Sequence, residues 1–204
     1  MITEYKKKHT LMISNTAIIT LRLLLKKESL YDFERFFAMS KNPEVMKFIG
    51  DGSIYHWTKK VALEKFRTKL DFQDDSNPGV RAVYTKKDSF YIGWCAIRYS
   101  KFLDHIELGY SYCTDAWRNG YATEAASALL SETYGIKEID RIRACTHPDN
   151  IASIRVLEKL GFSLTGSKHS RASGRDIPVF QIDRKTFWQT IKNSRMATKG
   201  IQQY

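Results

Sequence analysis

Nine consecutive residues, Trp117, Arg118, Asn119, Gly120, Tyr121, Ala122, Thr123, Glu124 and Ala125, have the types and spacing of an anion cradle. They set a glycine where a loop runs into a helix. The first amides of a helix have no carbonyl partner within it, and the aligned peptide dipoles leave partial positive charge at that end. Gly120 puts no side chain in the way of a ligand, and Arg118 adds a cation. An ordinary strand-to-helix turn uses a glycine in the same place, so the loop by itself leaves both readings open. A second pair, Asn150 and Ser153, opens a later helix, where Asn150 reads as a turn residue and Ser153 as a cap unless a ligand claims them. Among the acids, Glu107 precedes the loop in a strand and can serve as a general base or simply face solvent. Glu124 sits in the first turn of the helix, where an acid complements the dipole or packs. His105 and His147 are further proton carriers by type, although a single histidine more often has a structural place.

These residues need elements to hold them. Residues 106–112 read as a strand, and 123–133 as a helix with Ala125, Ala126, Leu129 and Leu130 at helical spacing and no Gly or Pro inside. Upstream, residues 17–25 read as a first strand. A helix follows from Ser29, with Leu30, Phe33, Phe36, Phe37 and Met39 on one face, broken at Pro43. A short helical piece over 44–49 leads to a turn at Gly50, Asp51 and Gly52, and Thr58 caps a helix to about residue 72 that buries Val61, Leu63, Phe66 and Leu70. After Asn77, Pro78 and Gly79, residues 80–85 and 90–99 form a hairpin across 86–89. Downstream come a strand over 141–146, a loop at 147–150, and a helix over 152–160 with Ile154, Val156, Leu157 and Leu160 for packing, stopped by Gly161. Strands over 162–169 and 178–183 flank a polar hairpin at 171–176, and a short helix over 186–192 closes the chain's patterned part.

Length and composition bound the function. The 204 residues suit one domain with terminal additions: a basic extension over 1–16, a domain over 17–192 and a tail over 193–204. A hydrophobic content of 43% with 13% aromatics excludes a wholly disordered chain. No apolar run approaches the roughly 20 residues of a membrane helix, and the lysine-rich start lacks the apolar segment of a secretory signal, so a cytoplasmic protein without membrane partners is expected. Cys95, Cys113 and Cys145 are odd in number and widely spaced in apolar stretches, which predicts buried thiols over a metal or disulfide role. A net charge of +11 favours anionic partners in general. Lys6, Lys7, Lys8, Lys192, Arg195 and Lys199 lie in or beside the expected tails, and no recognised nucleic-acid motif accompanies them, which weighs against nucleic acid as a partner.

The element order and the two polar motifs together resemble the Gcn5-related N-acetyltransferase (GNAT) superfamily, and within it the RimJ and RimL branch that acetylates ribosomal-protein N-termini. The family's acetyl-coenzyme A loop runs Gln or Arg, two variable residues, Gly, one variable residue, then Gly or Ala. Here it falls on residues 117–122, with Trp117 departing at the first position. The second match is Asn150, Ser153 and the run from Arg155 to Phe162; the third is Leu21-Arg22-Leu23 followed by Asn42-Pro43-Glu44-Val45-Met46. The resemblance covers residues 17–192. It implies an α+β, three-layer fold: a mixed, mostly antiparallel sheet of about seven strands, splayed between the fourth and fifth, with helices on both faces. It further implies acetyl-coenzyme A as cosubstrate, no metal, and a coenzyme site made of Trp117, Arg118, Asn119, Gly120, Tyr121, Ala122, Thr123, Asn150 and Ser153, with Tyr110 and Tyr112 beside the pantetheine arm. Glu107 is the implied base. Many members have a tyrosine acid four residues past Ser153, but this chain has Leu157 there, so Tyr112, Ser111 or water must protonate the leaving thiolate. The implied acceptor is a protein N-terminal amine. A small amine such as an amino acid, polyamine or aminoglycoside is the alternative, as is a non-catalytic acetyl-coenzyme A sensor. Residues 26–57 and 171–176 set acceptor choice in such a fold, and monomer and homodimer both stay open.

Overall fold

A computed structural model describes residues 16–49, 53–71, 79–171 and 173–200. The expected turn at Gly50, Asp51 and Gly52, and most of the basic N-terminal extension, lie outside these residues. The chain divides into two compact units, one built from residues up to Arg98 together with Leu108–Ile136, the other from Tyr99–Glu107 and the residues from Lys137 onward.

In the first unit, β1 (Ile18–Ile19) and β2 (Leu23–Lys26) are followed by a single 3-10 turn and α1 (Phe33–Lys41), then α2 (Pro43–Met46) and α3 (Lys59–Asp71). β3 (Val80–Thr85), β4 (Tyr91–Ser100), the Leu108–Tyr112 part of β5 (His105–Tyr112), and α4 (Tyr121–Thr133) complete it. Its strand order is β1-β2-β3-β4-β5. The apolar alternation of β2 buries Leu23 and Leu25 completely, and they pair with Thr85 and Val83 of β3. α4 buries Ala125, Ala126, Leu129 and Leu130, the four residues at helical spacing. Each leucine withdrawn from water in this way contributes about 1.5–3 kcal/mol. Phe33, Ala62 and Phe66 form a second core between α1 and α3, with Phe36, Phe37, Leu63 and Leu70 packed on it.

In the second unit, β6 (Arg141–Cys145), α5 (Ile151–Leu160), β7 (Ser163–Ser170), β8 (Arg175–Asp183) and α6 (Arg184–Gly200) join the His105–Glu107 part of β5. The strand order is β5-β6-β8-β7. β5 and β6 run parallel and match at one position, Glu107↔Arg143, whereas β6 and β8 match antiparallel over five. That thin β5–β6 pairing is the splay expected between the family's fourth and fifth strands. Asn150 starts α5 with its Oδ1 accepting the Ser153 amide at 3.1 Å, and Gly161 ends it in the left-handed region at φ +92°.

Several expectations change. Eight strands are present among the described residues rather than about seven, because the single strand expected over 17–25 bends at Thr20, Leu21 and Arg22 into β1 and β2. Pro43 does not merely break a helix but opens α2, where its missing N–H costs nothing, after Asn42 caps the Glu44 amide. Val61 is exposed on α3, since Ala62 takes the buried position beside Phe66. The last helix begins at Arg184 and runs past residue 192 to Gly200.

Candidate active site

The loop between β5 and α4 is pinned by side chains to its own main chain. The Trp117 indole N–H donates to the Tyr112 carbonyl at 2.8 Å, and Asn119 Nδ2 donates to the carbonyls of Trp117 at 3.0 Å and Ala116 at 3.3 Å. Arg118 and Gly120 both lie in the left-handed region, at φ +62° and +77°. Such backbone turns successive amides toward one concave face. Gly120 is the N-cap of α4 and offers no capping side chain; the first intrahelical bond runs from the Glu124 amide to the Gly120 carbonyl at 3.1 Å. The amides of Tyr121, Ala122 and Thr123 therefore precede the helical hydrogen-bond ladder. A β-carbon on Gly120 would make an ordinary contact with Arg22 Nη2 at 3.5 Å, so it is the φ of +77° rather than crowding that favours glycine there. Main-chain donors at a helix start, beside a glycine without a side chain, have the chemistry to hold an anion such as a diphosphate.

Behind the loop stands a contact network that the sequence reading did not find. Arg22 donates from Nη1 to the Asn119 carbonyl at 2.9 Å and from Nε to Glu124 Oε2 at 2.7 Å, while its own amide donates to Glu124 Oε1 at 2.9 Å. Thr20 Oγ1 donates to the same Oε1 at 2.6 Å. Burial opposes ionisation of Glu124, but these hydrogen bonds and the Arg22 charge outweigh it and hold the carboxyl below its ordinary value. A glutamate in the first turn of a ligand-binding helix calls for a nearby cation, and that was the available signal.

Tyr110 and Tyr112 follow one another on one face of β5, ring centroids 6.3 Å apart. The Tyr112 hydroxyl is buried and has no hydrogen-bond partner among the described residues. Burial, then Cys95, Tyr110 and Glu124, push its phenol well above the ordinary tyrosine value, so it keeps its proton at neutral pH. Ser111 faces the other side, its hydroxyl against Met39 Sδ at 3.9 Å.

Of the remaining predicted residues, Cys95 and Cys113 belong to the first unit and Glu107, His105, Cys145, His147, Asn150, Ser153 and Leu157 to the second. Glu107 is half-buried on β5, and the Cys145 thiol on β6 donates to its Oε1 at 3.1 Å. Cys95 and Cys113 are buried as expected, with burial pushing the Cys95 thiol up to about 12, but Cys145 is partly exposed. His105 is held below the ordinary imidazole value mainly by burial, with Arg143 and Arg141 adding to the effect. His147 Nε2 lies 3.1 Å from Arg175 Nη1. Asn150 Oδ1 is used as the α5 cap on the Ser153 amide, the turn-and-cap reading that the sequence left open. Leu157 is buried, 1% exposed, and contributes packing alone. Among the described residues no group of three or more His, Cys, Asp or Glu is placed to hold a metal ion, and no helix is long and apolar enough to cross a membrane.

Comparison with known proteins agrees with this architecture. The family model for the acetyltransferase (GNAT) domain matches residues 22–163. YnaD of Bacillus subtilis (strain 168), described as an uncharacterized N-acetyltransferase, is 30% identical over 152 residues, which cover 73% of this chain and 84% of YnaD. The uncharacterized protein YkkB of the same strain is 34% identical over 181 residues, covering 86% of this chain and 99% of YkkB. The structure of Mycobacterium smegmatis RimJ in complex with CoA-disulfide shares the fold, with a TM-score of 0.69 at 15% identity, over 90% of this chain and 97% of RimJ. The chain belongs to the GNAT acetyltransferase family. It is an N-acetyltransferase, and its fold is one that RimJ shares.

Proposed function

We propose that this N-acetyltransferase draws its acetyl group from acetyl-coenzyme A and delivers it to a protein N-terminal amine. The observation that carries the donor half is the start of α4: Gly120 at φ +77° with no side-chain cap, and the Tyr121, Ala122 and Thr123 amides ahead of the first intrahelical bond. The fold shared with RimJ, whose structure is a complex with CoA-disulfide, supports the donor; the acceptor class follows from the resemblance of the two sequence motifs to the RimJ and RimL branch.

Acetyl-coenzyme A supplies a thioester-activated acetyl group when bound. The main chain from Arg118 to Thr123 holds the diphosphate, with Trp117 and Asn119 fixing the loop that presents it. The backbone at Tyr110 and Tyr112 lies beside the pantetheine arm. Glu107 takes the proton that the acceptor ammonium must lose before its nitrogen can attack, directly or through a water. The Tyr112 hydroxyl, protonated and without an acceptor among the described residues, is the donor offered to the departing sulfur.

Calorimetric titration with acetyl-coenzyme A tests the donor, and saturable binding below millimolar is expected. Thiol release against N-terminal peptides, amino acids, polyamines and aminoglycosides tests the acceptor. Turnover on a peptide amine is expected. Preference for a small amine would move the acceptor class, and binding without turnover on any amine would leave a coenzyme sensor.

A further inference from the structure

Arg22 lies about 95 residues upstream of the coenzyme loop, yet its guanidinium is fixed against that loop from two directions. One nitrogen holds the Asn119 carbonyl at 2.9 Å, next to Gly120, and the opposite edge of the fork makes two contacts of 2.7 Å with Glu124 Oε2 in the first turn of α4. The fork thus spans the junction where loop becomes helix, from the residue before the N-cap to the fourth residue of the helix. The guanidinium also lies over the Tyr121 ring, 4.8 Å from its centroid. Its side chain is 45% exposed while that of Glu124 is 18% exposed, so the cation faces outward and the carboxylate inward.

The arrangement has two physical effects. A carboxylate in the first turn of α4 would repel a diphosphate arriving at the same amides, and the adjacent guanidinium cancels that charge. The planar fork also ties the Asn119 peptide to α4, which sets the direction of the amides that follow. We infer that Arg22 is a positioning residue for the donor: from the β1–β2 corner it fixes and neutralises the diphosphate loop, without touching the reacting atoms. This rests on the reading that the loop binds the diphosphate.

The test compares acetyl-coenzyme A with S-acetylpantetheine, which has the same thioester and arm but no diphosphate. Arg22→Ala is expected to raise the Kd for acetyl-coenzyme A about tenfold by calorimetry, and to change S-acetylpantetheine binding, followed by ligand-observed NMR, less than twofold. Arg22→Lys keeps a cation and loses the fork, and is expected to show about a threefold loss, again confined to acetyl-coenzyme A. Should the alanine variant fail to fold, the lysine variant alone decides. An equal loss for both ligands, or acetyl-coenzyme A binding within twofold of wild type in the folded variants, overturns the inference. Absence of acetyl-coenzyme A binding to the wild-type chain overturns the donor reading itself, and the inference with it.

Discussion

The Cys145 thiol on β6 donates to the carboxylate of Glu107 on β5 at 3.1 Å, across the parallel pair Glu107↔Arg143. The carboxylate is thereby aimed by a strand that its own sequence neighbourhood does not include. If Glu107 is the base, Glu107→Gln lowers kcat by about 10²–10⁴ with little change in KM for acetyl-coenzyme A. Cys145→Ala, which removes only the aiming contact, lowers kcat a few-fold, and Cys145→Ser restores most of it. Steady-state kinetics on the three variants checks the order.

Gly120 tolerates a methyl group by space but not by backbone, since the nearest atom would be Arg22 Nη2 at 3.5 Å while φ is +77°. A left-handed non-glycine residue costs about 1–2 kcal/mol. If the loop relaxes to relieve that strain, the amides turn away from the ligand. Gly120→Ala therefore weakens acetyl-coenzyme A binding about tenfold, since about 1.4 kcal/mol corresponds to that factor. Calorimetric titration measures it directly.

Glu124 has a carboxyl held below its ordinary value of 4.5. A depressed carboxylate stabilises the fold fully above the unfolded value, and the contribution is lost as pH falls through the lower folded value. Melting temperature is thus expected to drop as pH is lowered from about 4.5. In Glu124→Gln this part of the pH dependence is absent and the melting temperature at neutral pH is lower. Thermal scans across the acid range compare the two proteins.

Leu157 stands where the family resemblance implies a tyrosine, yet here the position is 1% exposed. Leu157→Tyr would force a larger ring and a hydroxyl into packed surroundings, at a cost of about 1–3 kcal/mol. The urea midpoint should fall without a gain in kcat. A rise in kcat would mean that the hydroxyl reaches the reacting sulfur after all.

What could be read along the chain was whatever is decided within a few residues. The helical spacing of Ala125, Ala126, Leu129 and Leu130, the stop at Gly161 and the turn-forming Gly120 are local, and each stands as anticipated. The break between β1 and β2 is not local: Thr20 and Arg22 are held there by Glu124, 104 and 102 residues away. Trp117, which departs from the family's loop at its first position, makes a local contact instead: its indole N–H donates to the Tyr112 carbonyl five residues back. Cys145 looked like any buried strand thiol until β6 was placed beside β5. The length of α6 escaped notice because residues 193–200 carry little apolar periodicity on which a helix could be drawn.

Trp117 and Asn119 together make three hydrogen bonds to the carbonyls of residues 112, 116 and 117, all within a few positions of Gly120. Conformational freedom is therefore surrendered when the chain folds rather than when the donor arrives. On the proposal that this loop holds the diphosphate, capture of acetyl-coenzyme A resembles a key meeting a rigid lock, with an association rate governed by diffusion and charge rather than by rearrangement of the receptor.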